Sequence, residues 1–417
     1  MYYLWRLLPW LCFLPSVFVL GGCSDRGSEI LSEFEYGPTP KSEELSSFEK
    51  SYSPKQFTTG VIAYETEAGY LLAANGYNGD VIWDVDKQVA FLMVLDGNGN
   101  LVSSVDFASH GRVMITDMTP CSDSTFILLG VWTTQARSSE FWAMRVKSDA
   151  TILWDRKFGS AGDEAPCCIV PMSDETYLLT GVQRLCDSEY RPFLVRINKD
   201  GDEIWRSSLD VQGHTGVSDA VEMPDGDLLL VGNNSRQGFG GISTGWSAFV
   251  SNQGDLLSES TLSRVSCYRG VALIDSSPVF ICSLRDVAEE SIEVIKTDLS
   301  LEPVWSMTLP DHPFAYTSKI TAVDSNRILV CNSRPGSDGQ SYAMTLTCLL
   351  ENGCINWSHS YDSGSSSQAS SVSSCSDSGF VVVGSRWNPS GSGKSAFMVR
   401  CNSSGECGWS GVVSGIE

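Results

Sequence analysis

Histidine is nearly missing from this sequence: 4 in 417 residues, at His110, His214, His312 and His359. Three of these fall between repeated units and His359 falls in a strand. A shared metal centre would need separate units to converge within the tight geometry that ligands demand. No C-x2-C pair, H-E-x-x-H, P-loop or G-x-S-x-G elbow occurs, which removes the motif-borne zinc, nucleotide and hydrolase readings. Basic residues are also scarce: 28 Lys plus Arg against 50 Asp plus Glu, a net charge of −22. Such a surface repels polyanions, so no nucleic-acid partner is expected; the charge supplies solubility. Carboxylates are so common that no pair stands out for acid–base work. Asp84 and Asp86, after Asn78 and Asp80, lack the remaining ligands of a calcium loop. No cofactor and no metal are expected.

What the sequence does have is a period. Short apolar runs close at Ala74, Gly130, Gly181, Gly232, Ser283, Asn332 and Gly384, at intervals of 56, 51, 51, 51, 49 and 52 residues. A second mark follows 22 to 25 residues later, at Trp154, Trp205, Trp305, Trp357 and Trp409, with Leu256 in the fourth copy. A fixed period near fifty residues signals a propeller or array. Within each unit apolar residues alternate or form short runs, and turn residues separate four such segments. The reading is all-β: one β-propeller over residues 51–417, of seven four-stranded blades, with six or eight left open. A closed ring of this kind is expected to be monomeric. Either the segment 47–51 or the C-terminal strand near Ser410 would fasten it.

The first 22 residues form a signal sequence, with Arg6 before an apolar run from Leu7 to Leu20 that is short for a membrane span. Leu20-Gly21-Gly22-Cys23 resembles a bacterial lipobox. The resemblance implies cleavage before Cys23, acylation of its thiol, palmitate included, and a lipid anchor in the cell envelope. Ser24 rather than Asp follows the cysteine, which by resemblance to Gram-negative lipoproteins implies the outer membrane. Residues 23–50 are acidic and Ser-rich, with Pro38 and Pro40, and read as a tether.

The recurring form, as in TYLLTG, FLVRINKDGDEIW and a Gly-rich loop, resembles bacterial secreted propeller-repeat proteins. It is also similar to the quinoprotein-like and WD40-like propeller group, whose blades end in a Gly-x-x-x-Trp hairpin. That resemblance implies that the first strand of each unit is innermost and that the tryptophans dock between blades. It says little about activity.

Twelve cysteines follow Cys23, and an even number in an exported chain suggests disulfides. Cys348 with Cys354 and Cys401 with Cys407 flank turns at what read as equal positions, so both pairs are candidate bridges. Cys282 and Cys331 read as buried thiols. Past the small residues runs an arginine series: Arg184, Arg236, Arg285, Arg334 and Arg386. Equivalent loops of a ring gather on one face, where guanidiniums could capture carboxylates or sulfates; pairing with neighbouring carboxylates is the alternative. Trp83, Trp132 and Trp387, with Tyr190 and Phe239, could add stacking platforms. The expected function is non-catalytic binding or scaffolding at a membrane surface, with an acidic glycan or peptide as ligand. A carbohydrate-active lyase or hydrolase and a structural subunit of an envelope complex are the alternatives.

Overall fold

The computed structural model describes residues 47–77, 88–108, 112–133, 138–160, 162–186, 189–235, 243–262, 265–284, 291–309, 319–335, 341–361, 365–388 and 393–407. Five antiparallel sheets of four strands follow one another. They are β6 (Arg112–Pro120), β7 (Thr125–Thr133), β8 (Ser139–Lys147) and β9 (Ile152–Phe158); then β10 (Asp163–Pro171), β11 (Tyr177–Cys186), β12 (Glu189–Ile197) and β13 (Glu203–Ser208). Next come β14 (His214–Glu222), β15 (Leu228–Ser235), β16 (Ser243–Val250) and β17 (Leu256–Leu262), and β18 (Val265–Ile274), β19 (Ser277–Leu284), β20 (Ile292–Thr297) and β21 (Pro303–Thr308). The fifth is β22 (Lys319–Ala322), β23 (Arg327–Pro335), β24 (Tyr342–Leu350) and β25 (Ile355–Tyr361).

The two chain ends merge in one further sheet of eight strands. It holds β2 (Phe57–Thr66), β3 (Gly69–Tyr77), β4 (Gln88–Asp96) and β5 (Leu101–Asp106), with β26 (Ser367–Ser374), β27 (Phe380–Trp387), β28 (Lys394–Cys401) and β1 (Phe48–Tyr52). This corrects the expectation of seven separate four-stranded blades. The architecture is an all-β propeller, but β2 joins β28 in parallel at Phe57 and Lys394, so the ends form a continuous sheet. β1 lies across the boundary drawn at residue 50 and pairs with β28 from Phe48↔Arg400 to Tyr52↔Ala396.

Strands β2, β6, β10, β14, β18, β22 and β26 lie against one another in that order, and β26 returns to β2, so the first strands surround the ring axis. The core lies between neighbouring sheets: Leu71, Leu92 and Phe107 meet Ile115, Leu128 and Trp142, for example. Closure has its own core, where Ala63, Leu72 and Met93 meet Val381, Ala396 and Met398.

The small residues of the period have a steric cause. β6, β10, β14 and β26 each bulge where they face the small residue, next to the pairs Ile115↔Gly130, Pro166↔Gly181, Val217↔Gly232 and Ala369↔Gly384. The bulge pushes a backbone carbonyl toward that residue. A Cβ on Gly130, Gly181, Gly232 or Gly384 would collide with the oxygen of Met114, Ala165, Gly216 or Gln368. Only glycine admits so close a backbone. In the first unit the roles are exchanged: Gly60 faces Ala74, and a Cβ on Gly60 would sit 2.7 Å from the Gly384 oxygen.

The tryptophans bind sheet to sheet. Trp154, Trp205 and Trp305 donate from Nε1 to the carbonyls of Lys199, Asn252 and Glu351, at 2.9, 3.0 and 3.0 Å, in the hairpin turn of the next sheet. Their rings lie over the turn glycines Gly201, Gly254 and Gly353, which have positive φ. Opposite each tryptophan on the third strand is a cation, in the pairs Arg145↔Trp154, Arg196↔Trp205 and Lys296↔Trp305. Arg145 Nη1 and Arg196 Nη1 donate to the same Lys199 and Asn252 carbonyls, at 2.9 and 2.7 Å. Each arginine is also held by its own sheet, Arg196 through Thr176 Oγ1 at 2.9 Å and Asp174 Oδ2 at 2.7 Å. In the fourth unit the tryptophan place belongs to Ser258, opposite Phe249, and not to Leu256, because the connection after the small residue is longer there: Gly232 pairs with Trp246, where Gly181 pairs with Phe193.

These clasps have an acid-side signature. Thr125 first, then Arg145, hold the Asp123 carboxyl below its usual range. At Asp174 and Asp377 burial works upward, but hydrogen bonds, including those from Arg196 and Arg400, outweigh it and the shift is again downward. A depressed folded pKa gives stability that is present above the unfolded value, about 3.9, and lost as pH falls through the folded one. The melting temperature is therefore expected to fall as pH drops below about 4. Arg196→Met should melt lower at pH 7 and show a flatter decline over that range; a decline as steep as the parent's would remove the clasp from the explanation.

Candidate functional site

The innermost strands bring three charged residues to the ring axis. Asp117 on β6, Asp219 on β14 and Lys319 on β22 hold the same register place, each paired with the residue just before the small one: Leu129, Val231 and Cys331. Both carboxylates are tied to neighbouring strands. Asp117 Oδ2 accepts from Ile169 N at 3.0 Å, and Asp219 Oδ2 accepts from Val271 N at 3.2 Å. Lys319 Nζ reaches past β18 to within 4.0 Å of Asp219 Oδ1. Gly270 on β18 leaves room for that reach, since a Cβ there would stand 3.2 Å from Asp219 Oδ2.

The Lys319 side chain is 34% exposed. Asp219 foremost, then Asp117, hold the Lys319 ammonium above its usual pKa against the pull of burial. Burial pushes the Asp117 carboxyl up, and Lys319 opposes this. Tyr64 is pushed up by burial and by Asp117, so it stays a neutral phenol. The Cys168 thiol is raised by Cys167 and by burial, and Cys167 Sγ donates to Ser218 O at 2.9 Å. The lysine and the two carboxylates thus join β6 to β10, β14 to β18 and β22 to β14. Sequence reasoning missed all three. The available signal was a charged residue recurring 13 positions before the small residue (130 − 117 = 232 − 219 = 332 − 319), in the segments ITDMTP, VSDAVEMP and SKITAV.

The arginine series fares unevenly. Arg184 Nη2 pairs with Asp163 Oδ2 at 2.7 Å, across its own β10–β11 ladder. Arg386 lies 5.4 Å from the Phe397 ring. Arg334 sits near the end of β23 and makes no ion pair among the described residues. Arg236, Arg285, Trp83, Phe239, Cys23 and Trp409 lie outside the described residues. Trp132 ends near β7's last residue with Lys157 Nζ 3.2 Å from its ring centroid. Trp387 ends β27, with Phe57 edge-on at 6.4 Å and Lys394 Nζ at 5.8 Å. Lys394 also donates to Gln368 Oε1 at 3.0 Å, and burial lowers its ammonium pKa to about 8. Tyr190 stands 5.4 Å from the His214 ring, and His359 Nε2 is 2.9 Å from Ser404 O.

The proposed disulfides are corrected. No bridge joins Cys348 to Cys354 or Cys401 to Cys407, and the two pairs do not hold equal positions. The outer bulge places Trp357 opposite Cys348, while Cys354 accepts from Leu350 N across the turn. Cys401 Sγ points to Phe380 O and Cys407 Sγ to Glu49 Oε1, at 3.5 Å each. Cys282 and Cys331 are buried. Among the described residues no three His, Cys, Asp or Glu side chains group as metal ligands.

No family model matches the chain, and no curated protein matches it. Its fold is similar to that of polysaccharide lyase Uly1, at TM-score 0.52 and 10% identity, over 84% of this chain and 91% of that one. A Synechocystis apocarotenoid oxygenase variant matches at TM-score 0.50 and 10% identity, over 87% and 95%. The Hadza microbial sialidase Hz136 gives TM-score 0.49 and 12% identity, over 81% and 74%. At these identities the likeness is one of propeller fold alone.

Proposed function

We propose that this is a bacterial lipoprotein, acylated at Cys23, whose propeller binds an anionic ligand without transforming it. The ligand class is an acidic glycan or acidic peptide. The observation that carries the reading is the pairing of cations with aromatics where second strands end. Lys157 stands over Trp132 and Lys394 beside Trp387, while Arg334 is left without an ion pair among the described residues. An aromatic face stacks on a sugar ring or apolar side chain, and the adjacent cation meets its carboxylate or sulfate. The axial carboxylates, by contrast, already accept backbone N–H groups and face a lysine. Such engagement suits a keystone better than a general acid.

The test is retention of uronate-bearing, sulfated and neutral oligosaccharides and of acidic peptides by the full chain. Arg334→Ala and Trp387→Ala are each expected to weaken retention of the anionic members about tenfold or more, with melting temperature nearly unchanged. Equal retention by the variants, or preference for neutral ligands, would defeat the proposal.

A further inference from the structure

Two cysteines stand side by side on β10, Cys167 and Cys168, in the strand DEAPCCIVP. Neither belongs to the proposed ligand site. In a regular strand successive side chains point to opposite faces, so neighbouring thiols are kept apart. β10 is not regular there. Pro166 pairs with Gly181 and Cys168 with Thr180, which makes Cys167 the extra, unpaired residue of the bulge. Across the bulge the two sulfurs meet: contact with Cys167 first, and burial second, keeps the proton on Cys168. Each also has an outside partner. Cys167 Sγ, half-buried, donates to Ser218 O on β14 at 2.9 Å, and Cys168 Sγ, buried, is 3.0 Å from Thr180 Oγ1 on β11. Both thiols act on the nearby Lys319 ammonium, which in turn draws Cys168 toward the thiolate.

The same place elsewhere in the ring needs no sulfur. The extra residue is Thr116 in β6, Ser218 in β14 and Ser370 in β26, followed by Asp117, Asp219 and Ser371. Oxygen-bearing side chains fill the bulge in these strands, so packing does not require a thiol pair in β10. What the pair adds is chemistry: one thiol accessible enough to attack, beside a second that can displace its adduct.

We infer that Cys167 and Cys168 are a redox pair, which a small disulfide converts reversibly to a bridge between the two neighbours. Cys167 gives its proton to water, and its thiolate attacks one sulfur of R–S–S–R; R–S⁻ leaves and takes up a proton. Cys168 then loses its proton and attacks Cys167 Sγ, releasing the second R–SH. Two thiols and one disulfide become one bridge and two R–SH, so the small disulfide is reduced as the pair is oxidised. Consecutive Cα atoms stand about 3.8 Å apart, closer than disulfides usually hold them, so the bridge is strained and easily reduced. It therefore serves as a reversible modification and not as a staple. It also removes the S–H that Cys167 gives to Ser218 O, a tie between β10 and β14 one residue before Asp219.

The test treats the full chain, native and unfolded in urea, with oxidised glutathione. It follows the tryptic peptide 158–184, whose cysteines are Cys167 and Cys168 alone. In the native protein this peptide should lose two hydrogens, about tenfold or more faster than in the unfolded chain, because the bulge holds the sulfurs together. Excess reduced glutathione should restore the hydrogens. Cys168→Ser should stop at a glutathione adduct on Cys167. The inference is overturned if the native peptide gains glutathione without losing hydrogens or does not react, or if the bridge forms no faster than in the unfolded chain. It is equally overturned if excess reduced glutathione leaves the bridge intact, or if Cys167 stays unmodified in Cys168→Ser.

Discussion

Replacing Lys319 with methionine should lower the unfolding free energy in urea by about 3 kcal/mol, the low end of the range for breaking a buried pair because the lysine is partly exposed. Methionine keeps most of the side-chain volume, so the loss is electrostatic. It leaves Asp219 and Asp117 on the axis with no cation, and removes the charge that opposes the rise of Asp117. The pH dependence has a definite sign. Asp117 titrates above its unfolded value, so the folded state takes up that proton more readily, and its burden at neutral pH lifts as pH falls. The deficit of Lys319→Met should therefore shrink between pH 7 and pH 4. Lys319 itself has a raised folded pKa, so its contribution is complete below the unfolded value and fades only at strongly alkaline pH. Asp219→Asn should do more damage than Asp117→Asn, because Asp219 is the foremost partner of the lysine. Combining Lys319→Met with Asp219→Asn should be less than additive. Additive losses, each below about 1 kcal/mol, would mean that the three residues only line the axis.

The parts of this fold that could be read in the sequence are those fixed by sterics that repeat. A glycine under a bulged carbonyl and a tryptophan over a turn glycine recur because the same collision and the same stacking recur in several units. What escaped depends on relations between units. Arg145 and Arg196 look like ordinary strand residues until the hairpin register sets them opposite the tryptophans. Cys348 and Cys401 looked equivalent because each precedes a second cysteine by six residues, yet the turn bonds Leu350 N to Cys354 O and Asn402 N to Glu406 O put Cys401 in the place of Leu349; a longer connection after Gly232 likewise moves the fourth tryptophan place from Leu256 to Ser258. The merger of the two chain ends rests on β1 and on one bridge at Phe57 and Lys394, which no period encodes. Asp117, Asp219 and Lys319 stand in segments that read as strands, but nothing in one strand shows which charges face it across the axis.

Gly232→Ala is expected to cost about 3 kcal/mol, more than most single methyl additions to a core. The Cβ would press on the Gly216 carbonyl, which is backbone and cannot rotate aside. Moving it displaces the bulge between Val217 and Asp219, and with it the carboxylate that accepts from Val271 and faces Lys319. The steric fault should thus be felt as an electrostatic one, and Gly232→Ala with Lys319→Met should fall short of additivity in urea unfolding. Gly384→Ala supplies the contrast. Its Cβ meets the Gln368 carbonyl beneath a bulge that carries Ser371 rather than a charge. It should cost a similar amount and add fully to Lys319→Met. Gly97→Ala, with nothing within 4 Å of the added carbon, should change stability by less than about 1 kcal/mol. Equal coupling of both slots to Lys319 would show that the axis responds to ring strain in general; coupling confined to Gly232 would show that the bulge itself aims the aspartate.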